Sequence, residues 1–438
     1  MHTHPAARAA ILILAGLLAG APRPVVPAST DRVPSNAHGT APDDLRPEDL
    51  VYLGAFRLPG TEDGPQSWSY GGRALTYVPT GDPGGGADGF PGSLYGGGHA
   101  HHQRVSEISI PAPAIPASFD AAGYAQLPVA QTLQPFADLT GGLRAQAGVD
   151  HFGDLAWRPA QPGQSADLLY WTVYEYYNVA GIDFPSHGQS GLNLSQPAAA
   201  GPWRLGPAGD PVFHSMRTAR YLFNLPQAFA DQHLGGKSLV SGRHREAGCC
   251  GSSRGPALFA YAPWQDGQPP APGSHLGAIA LLHYPSGGNH FPEYRACDDW
   301  SGAVYAQGGG RDAVLVAGRK ALGAERYGLG QPGDCDFGIQ GYHCDPYESQ
   351  ILFYSPRDLA AVAAGTVPAW QVLPHARLRA GPPFWPTCRA QLGAIAFDEV
   401  RTVLYVIQPE AFEDRPLVHV FRVGGNDRLF ANGFEVAD

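Results

Sequence analysis

Gly393–Glu410 reads GAIAFDEVRTVLYVIQPE, and this stretch decides the fold. A glycine leads a small apolar run that ends on Phe397, a polar turn follows, and a second apolar run carries Leu404-Tyr405. Two short apolar strands around a turn make a β-hairpin. The scheme recurs in Gly153–Asn178, GDLAWRPAQPGQSADLLYWTVYEYYN, and more loosely in Ser301–Arg319. GRALTYVP at Gly72–Pro79 begins another copy, completed after a Gly-rich loop by SLYGGGH. Recurrence of one hairpin type along a chain is the mark of a radial β repeat. One such unit cannot bury both of its faces, and stacking several around an axis does. The expected fold is therefore all-β, a single β-propeller over residues 48–423. At ~40–60 residues per blade it has six or seven blades, or five if the loops are long. The rival is a pair of β-sandwiches, which calls for shorter, more even strand spacing without the leading glycine. Helical patterns are confined to Pro226–Gly236 and Pro356–Gly365.

Composition agrees. The chain holds 57 glycines and 42 prolines among 438 residues and is only 16% charged, which suits short strands and many turns. Its net charge of −10 argues against general nucleic-acid binding. The only lysines are Lys237 and Lys320, so basic charge is almost all arginine, the bias of a GC-rich bacterial genome.

At the N-terminus, a weakly basic Met1–Arg8 precedes the uncharged apolar run AAILILAGLL at Ala9–Leu18. This is the pattern of a secretory signal, with cleavage expected after Ala28 or alternatively after Ala21. Residues 29–47 read as a disordered linker and 424–438 as a C-terminal tail. No later segment reads as a membrane span. The expected location is secreted or periplasmic.

Six cysteines in an exported chain are most simply three disulfides. Cys249 and Cys250 are neighbours, ~3.8 Å apart at Cα, below the usual bridging range of ~4.4–6.8 Å. Each is therefore expected to pair with a distant cysteine. Cys335 and Cys344 bracket a local loop, which leaves Cys297 and Cys388 for Cys249 and Cys250.

Around that pair, GRHREAGCCGSSRGP at 242–256 concentrates guanidinium groups. Arg243, Arg245 and Arg254, with His244 among them, offer planar forks that suit carboxylates such as those of uronates. Solvated surface charge is the alternative. Ser253 lies in a G-x-S-x-G match, but the segment after it reads as a strand and not as the helix a nucleophile elbow requires. In VDHFGDLAW, Asp150, His151 and Asp154 open a hairpin, and its second strand ends in Tyr174-Glu175-Tyr176-Tyr177-Asn178. Strand ends line a propeller's channel mouth, where these groups suit sugar stacking and proton transfer. Packing of the tyrosines into the core is the other reading. GHAHHQ at 98–103 puts His99 and His101 on one face if it is a strand, a half-site for a divalent metal. A third ligand would come from Asp150, His151 or His343. Asp82 and Asp88 lie in a Gly-rich loop without EF-hand spacing. Asp334, Asp336, His343, Asp345 and Glu348 form a polar loop that is either a rim site or surface.

The chain has no G-x-G-x-x-G after a strand, no Walker A motif and no H-E-x-x-H. Its general look is similar to exported bacterial β-propellers, some of which are polysaccharide lyases, and its last residues resemble short C-terminal tails of exported bacterial proteins. The resemblance is to an architecture, and no site residue is carried over from it. The function expected is binding or processing of an extracellular carbohydrate ligand at one propeller face. A lyase for uronate-containing glycans, a metal-dependent hydrolase and a protein-interaction scaffold are the alternatives. His151, Tyr174 and His244 are the candidate catalytic residues. Arg243, Arg245, Arg254 and Glu175 are the candidate ligand-binding residues.

Overall fold

The computed structural model describes residues 30–32, 41–60, 64–85, 90–244, 251–285, 290–379 and 381–424. Five sheets, antiparallel except where His275–Leu276 adds a parallel edge to blade 2, surround a central channel as the blades of a propeller. Blade 1 runs outward from Leu75–Val78 through Ser93–Gly97 and Val105–Ile108 to Thr132–Ala137. Blade 2 comprises His151–Arg158, Leu168–Tyr174, His187–Ser190 and Ala200–Leu205, and blade 3 comprises Tyr221–Asn224, Leu239–Gly242, Leu258–Tyr261 and Ala278–Leu282. Blade 4 comprises Asp299–Gly308, Arg311–Ala321, Tyr347–Tyr354 and Ala376–Arg379. In blade 5 the inner three strands are Ile395–Asp398, Val403–Phe412 and Arg415–Val423, and the outermost is the N-terminal Leu50–Arg57. Leu50 stands opposite Val423 and Arg57 opposite Leu417, so the two ends of the chain close the ring. The innermost strands touch in the order blade 1, 2, 3, 4, 5 and back to 1.

The five-blade count corrects the expectation of six or seven. Inner strands begin at Leu75, His151, Tyr221, Asp299 and Ile395, a spacing well above the expected repeat length. Insertions take up the difference, among them the hairpin of Arg326–Leu329 with Gln340–His343 in blade 4. The two predicted helices form, at Gln227–His233 and Pro356–Ala363. Among the described residues, no helix is long and apolar enough to cross a membrane. Within the segment read as linker, Thr30–Arg32 pairs with Ala376–Leu378, and Leu45 is fully buried in the main core cluster.

The glycine that leads each hairpin has a steric cause. A side chain on Gly393 would place its Cβ 2.1 Å from the Gly72 carbonyl oxygen, and one on Gly302 would place it 2.4 Å from that of Gly393. Neighbouring inner strands converge at this end of the channel, and only glycine lets the backbones approach so closely. Blade 3 departs from the rule with Arg220, whose Nη1 reaches Asp299 Oδ1 of blade 4 at 2.6 Å in a buried ion pair. Asp154, fully buried, ties three blades together. Its Oδ1 accepts from the backbone N–H of Leu75 and Leu155, both at 2.9 Å, and its Oδ2 from Leu222 at 3.1 Å.

The disulfides also depart from expectation. Cys297 bonds to Cys344, and Cys335 bonds to Cys388. The local Cys335–Cys344 loop does not form, because Cys335 and Cys344 are each joined to a different segment. The partners proposed for Cys249 and Cys250 are therefore already taken, and those two residues, like the N-terminal signal and the C-terminal tail, lie outside the described residues. A non-reduced proteolytic digest analysed by mass spectrometry should yield a 297–344 and a 335–388 cross-linked peptide. A 335–344 peptide would refute this connectivity.

Candidate functional site

The inner strands all enter the channel at the end pinched by the glycines. Loops from blades 1 and 2 enclose a cavity of about 220 Å³ there, lined by Arg73, Arg104, His151, Tyr174 and Tyr176. His151 opens the inner strand of blade 2, and the strand register places Tyr174 directly opposite. The two rings stack with centroids 5.2 Å apart, and the Arg243 guanidinium lies 4.3 Å from the Tyr174 ring centroid. Asp150, the residue before the strand, holds His151 Nδ1 at 2.5 Å. Its carboxylate also accepts the Tyr176 N–H at 2.9 Å, which fixes the next loop.

These contacts set the chemistry of His151. An Nδ1–H donated to Asp150 leaves Nε2 as the ring's basic nitrogen. Burial holds the imidazole's pKa below the ordinary histidine value. The positive charges of Arg73 and Arg243 push the same way, against the opposing pull of Asp150. The ring is thus neutral at pH 7 and able to accept a proton. Glu175 comes directly after the strand that ends at Tyr174, its carboxyl raised by burial and then by the nearby Asp150 charge. The cavity combines guanidinium groups, aromatic faces and a neutral base in one recess.

Of the expected site residues, His151 and Tyr174 line the cavity, Arg243 is buried behind the Tyr174 ring, and Glu175 is the next residue after Tyr174. His244 does not reach it. It is fully buried, and its Nε2–H donates to the Asp298 carbonyl at 2.9 Å. Arg254 also points elsewhere, 5.9 Å from the ring of Tyr294. Arg245 lies outside the described residues. Ser253 is fully buried, and its Oγ accepts the Tyr284 N–H, so it serves the fold.

GHAHHQ is not a strand. It turns the chain between Ser93–Gly97 and Val105–Ile108, which removes the alternation that would align His99 with His101. His99 Nδ1 accepts the His101 N–H at 3.1 Å, using one of the two ring nitrogens. Among the described residues, no cluster of three ligand atoms includes either histidine. The one such cluster, Cys335, Asp345 and Cys388, contains two cysteines already bonded to each other. In the polar loop, Arg326 pairs with Asp334, Arg389 with Asp336, and Asp345 caps the Cys335 N–H. His343 Nε2 bonds the carbonyls of Gly328 and Ile339. Asp82 caps a turn at Gly84.

Arg73 was not among the expected site residues. It directly follows the leading glycine of the blade 1 hairpin, and a charged residue at that place was the available signal. Arg73 and Tyr176 also line a second, larger cavity of about 700 Å³, which extends toward blades 4 and 5. The opposite end of the channel holds a cavity of about 780 Å³ walled by all five inner strands, including Leu75, Ala156, Leu222, Val304 and Ile395.

No protein-family model matches this chain, and no curated protein matches it.

Proposed function

We propose that this protein binds an acidic carbohydrate at the glycine-pinched mouth of the propeller. The observation that carries the reading is the Asp150–His151–Tyr174 arrangement of blade 2, backed by the buried Arg243 of blade 3, facing Arg73 and Arg104 of blade 1 in one cavity. Aromatic faces take the apolar side of a sugar ring, and guanidinium groups take a uronate carboxylate. A location outside the cytoplasm is part of the proposal. It is supported by disulfides, which persist in oxidising compartments, and by the apolar run at Ala9–Leu18, read as part of an export signal over residues 1–28. Binding to a panel of uronate-containing and neutral polysaccharides tests the reading. Arg73→Met should weaken uronate binding about tenfold, the equivalent of ~1.4 kcal/mol, and leave neutral glycans unaffected. Equal binding of both classes, or capture of a protein partner without glycan binding, would reject it in favour of a scaffold.

The Asp150-oriented, neutral His151 favours a second reading, β-elimination. His151 Nε2 takes the proton from the carbon beside the carboxylate, whose charge the arginines neutralise. A C=C bond forms, the glycosidic C–O bond at the next carbon breaks, and the departing oxygen is protonated. Ultraviolet absorbance of the unsaturated uronate should appear with the wild-type protein. It should fall at least about a hundredfold in His151→Gln while binding persists. Because the base must be neutral, the rate should be flat at neutral pH and drop below the ordinary histidine range. Binding with no unsaturated product leaves the protein a carbohydrate-binding module.

A further inference from the structure

The His151 cavity is continuous with its larger neighbour through Arg73 and Tyr176, which line both. The larger cavity has the features of a prepared site. Cys297, Cys335 and Cys388 line it, so the two disulfides among the described residues fix its wall. Loops stapled in this way lose little freedom when a ligand arrives. Arg389 projects from this wall, its side chain 42% exposed, held between Asp336 at 2.6 Å and Glu410 at 3.2 Å. The carboxylates set the direction of the guanidinium without covering it. On the same segment, Trp385 is 4% exposed, and the Gln408 side chain holds both its backbone N–H and its carbonyl. Its indole N–H is buried without a hydrogen-bond partner. Tyr342 adds a further aromatic face. An oriented guanidinium beside aromatic side chains repeats at a distance the arginine and aromatic lining of the first cavity.

We propose that the larger cavity is a second subsite of the same cleft and that the ligand is a polymer segment, with successive acidic sugars seated at Arg73 and at Arg389. This rests on the acidic-carbohydrate reading above and adds the length of what is bound. Calorimetric titration of the intact protein with oligogalacturonates and oligoalginates of two, four and six residues tests it. In at least one series the hexamer should bind at least tenfold more tightly than the dimer. Arg389→Ala, and independently Tyr342→Ala, should bring the hexamer to the affinity of the dimer and leave the dimer unchanged, which also shows that each variant is folded. Equal affinities for dimer and hexamer, or hexamer binding unaltered by both variants, would overturn the second subsite while the first reading stands. Failure of every oligomer to bind would remove both.

Discussion

Asp154→Ala should lower the unfolding free energy by about 3 kcal/mol or more, read as a shift in the urea midpoint. The wild-type carboxylate accepts the N–H groups of Leu75, Leu155 and Leu222 from the inner strands of blades 1, 2 and 3. Removing it leaves three buried donors unpaired at one point, each costing roughly 1–3 kcal/mol unless a water enters. Asp154→Asn should fall between. Its carbonyl oxygen can still serve Leu75 and Leu155, but its amide would face the Leu222 N–H as donor to donor. If the alanine variant unfolds at the wild-type urea concentration, Asp154 does not join the blades.

Acid should destabilise the fold well before its ordinary carboxylates titrate. His187 and His419 are fully buried, and burial lowers each pKa to about 3; His283 is lowered to about 4, again mainly by burial. The unfolded chain titrates these groups near the ordinary ~6.5. Between the two values the unfolded state binds more protons, so stability rises with pH in that window. It is fully present above about 6.5 and is lost as pH falls toward the folded values, at up to ~1.4 kcal/mol per unit for each histidine. The neutral rings have defined partners, Ser186 and Ser241 for His187, and Tyr52 and Gln408 for His419. The urea midpoint measured from pH 7 to 5 should fall steadily, and His187→Gln should flatten the slope by about one proton. A midpoint constant over that range would mean that these rings are protonated in the native state.

The hairpin repeat was legible because its cause is local. Gly153, Gly302 and Gly393 are required by backbone approach, and the aromatic at each strand end fills the space between blades. Blade 3 escaped notice because the helix Gln227–His233 separates Tyr221–Asn224 from Leu239–Gly242, and because Arg220 stands where the other blades carry glycine. The count fell to five, the value expected only with long loops, because insertion length is free of the steric rule that sets the repeat. His151 and Tyr174 could be paired from the hairpin register alone. Arg243 over Tyr174, and Arg73 from another blade, depend on the closing of the ring, which no short stretch of sequence specifies. The disulfide pairing was set by contacts distant in sequence as well. Cys335 is close in sequence to Cys344, but the packing of the blade 4 insertion against the loop before blade 5 brings it to Cys388.

That closure has a consequence for assembly. Blade 5 takes its outermost strand from Leu50–Arg57 and its other three from residues 395–423. During synthesis the first strand emerges with no partner and keeps an open edge until Arg415–Val423 arrives. Such an edge pairs readily with other chains. A circular permutant that starts just before Gly72 and carries Leu50–Arg57 after Val423 would build every blade from contiguous sequence. It would remove the delay between making the first strand and using it.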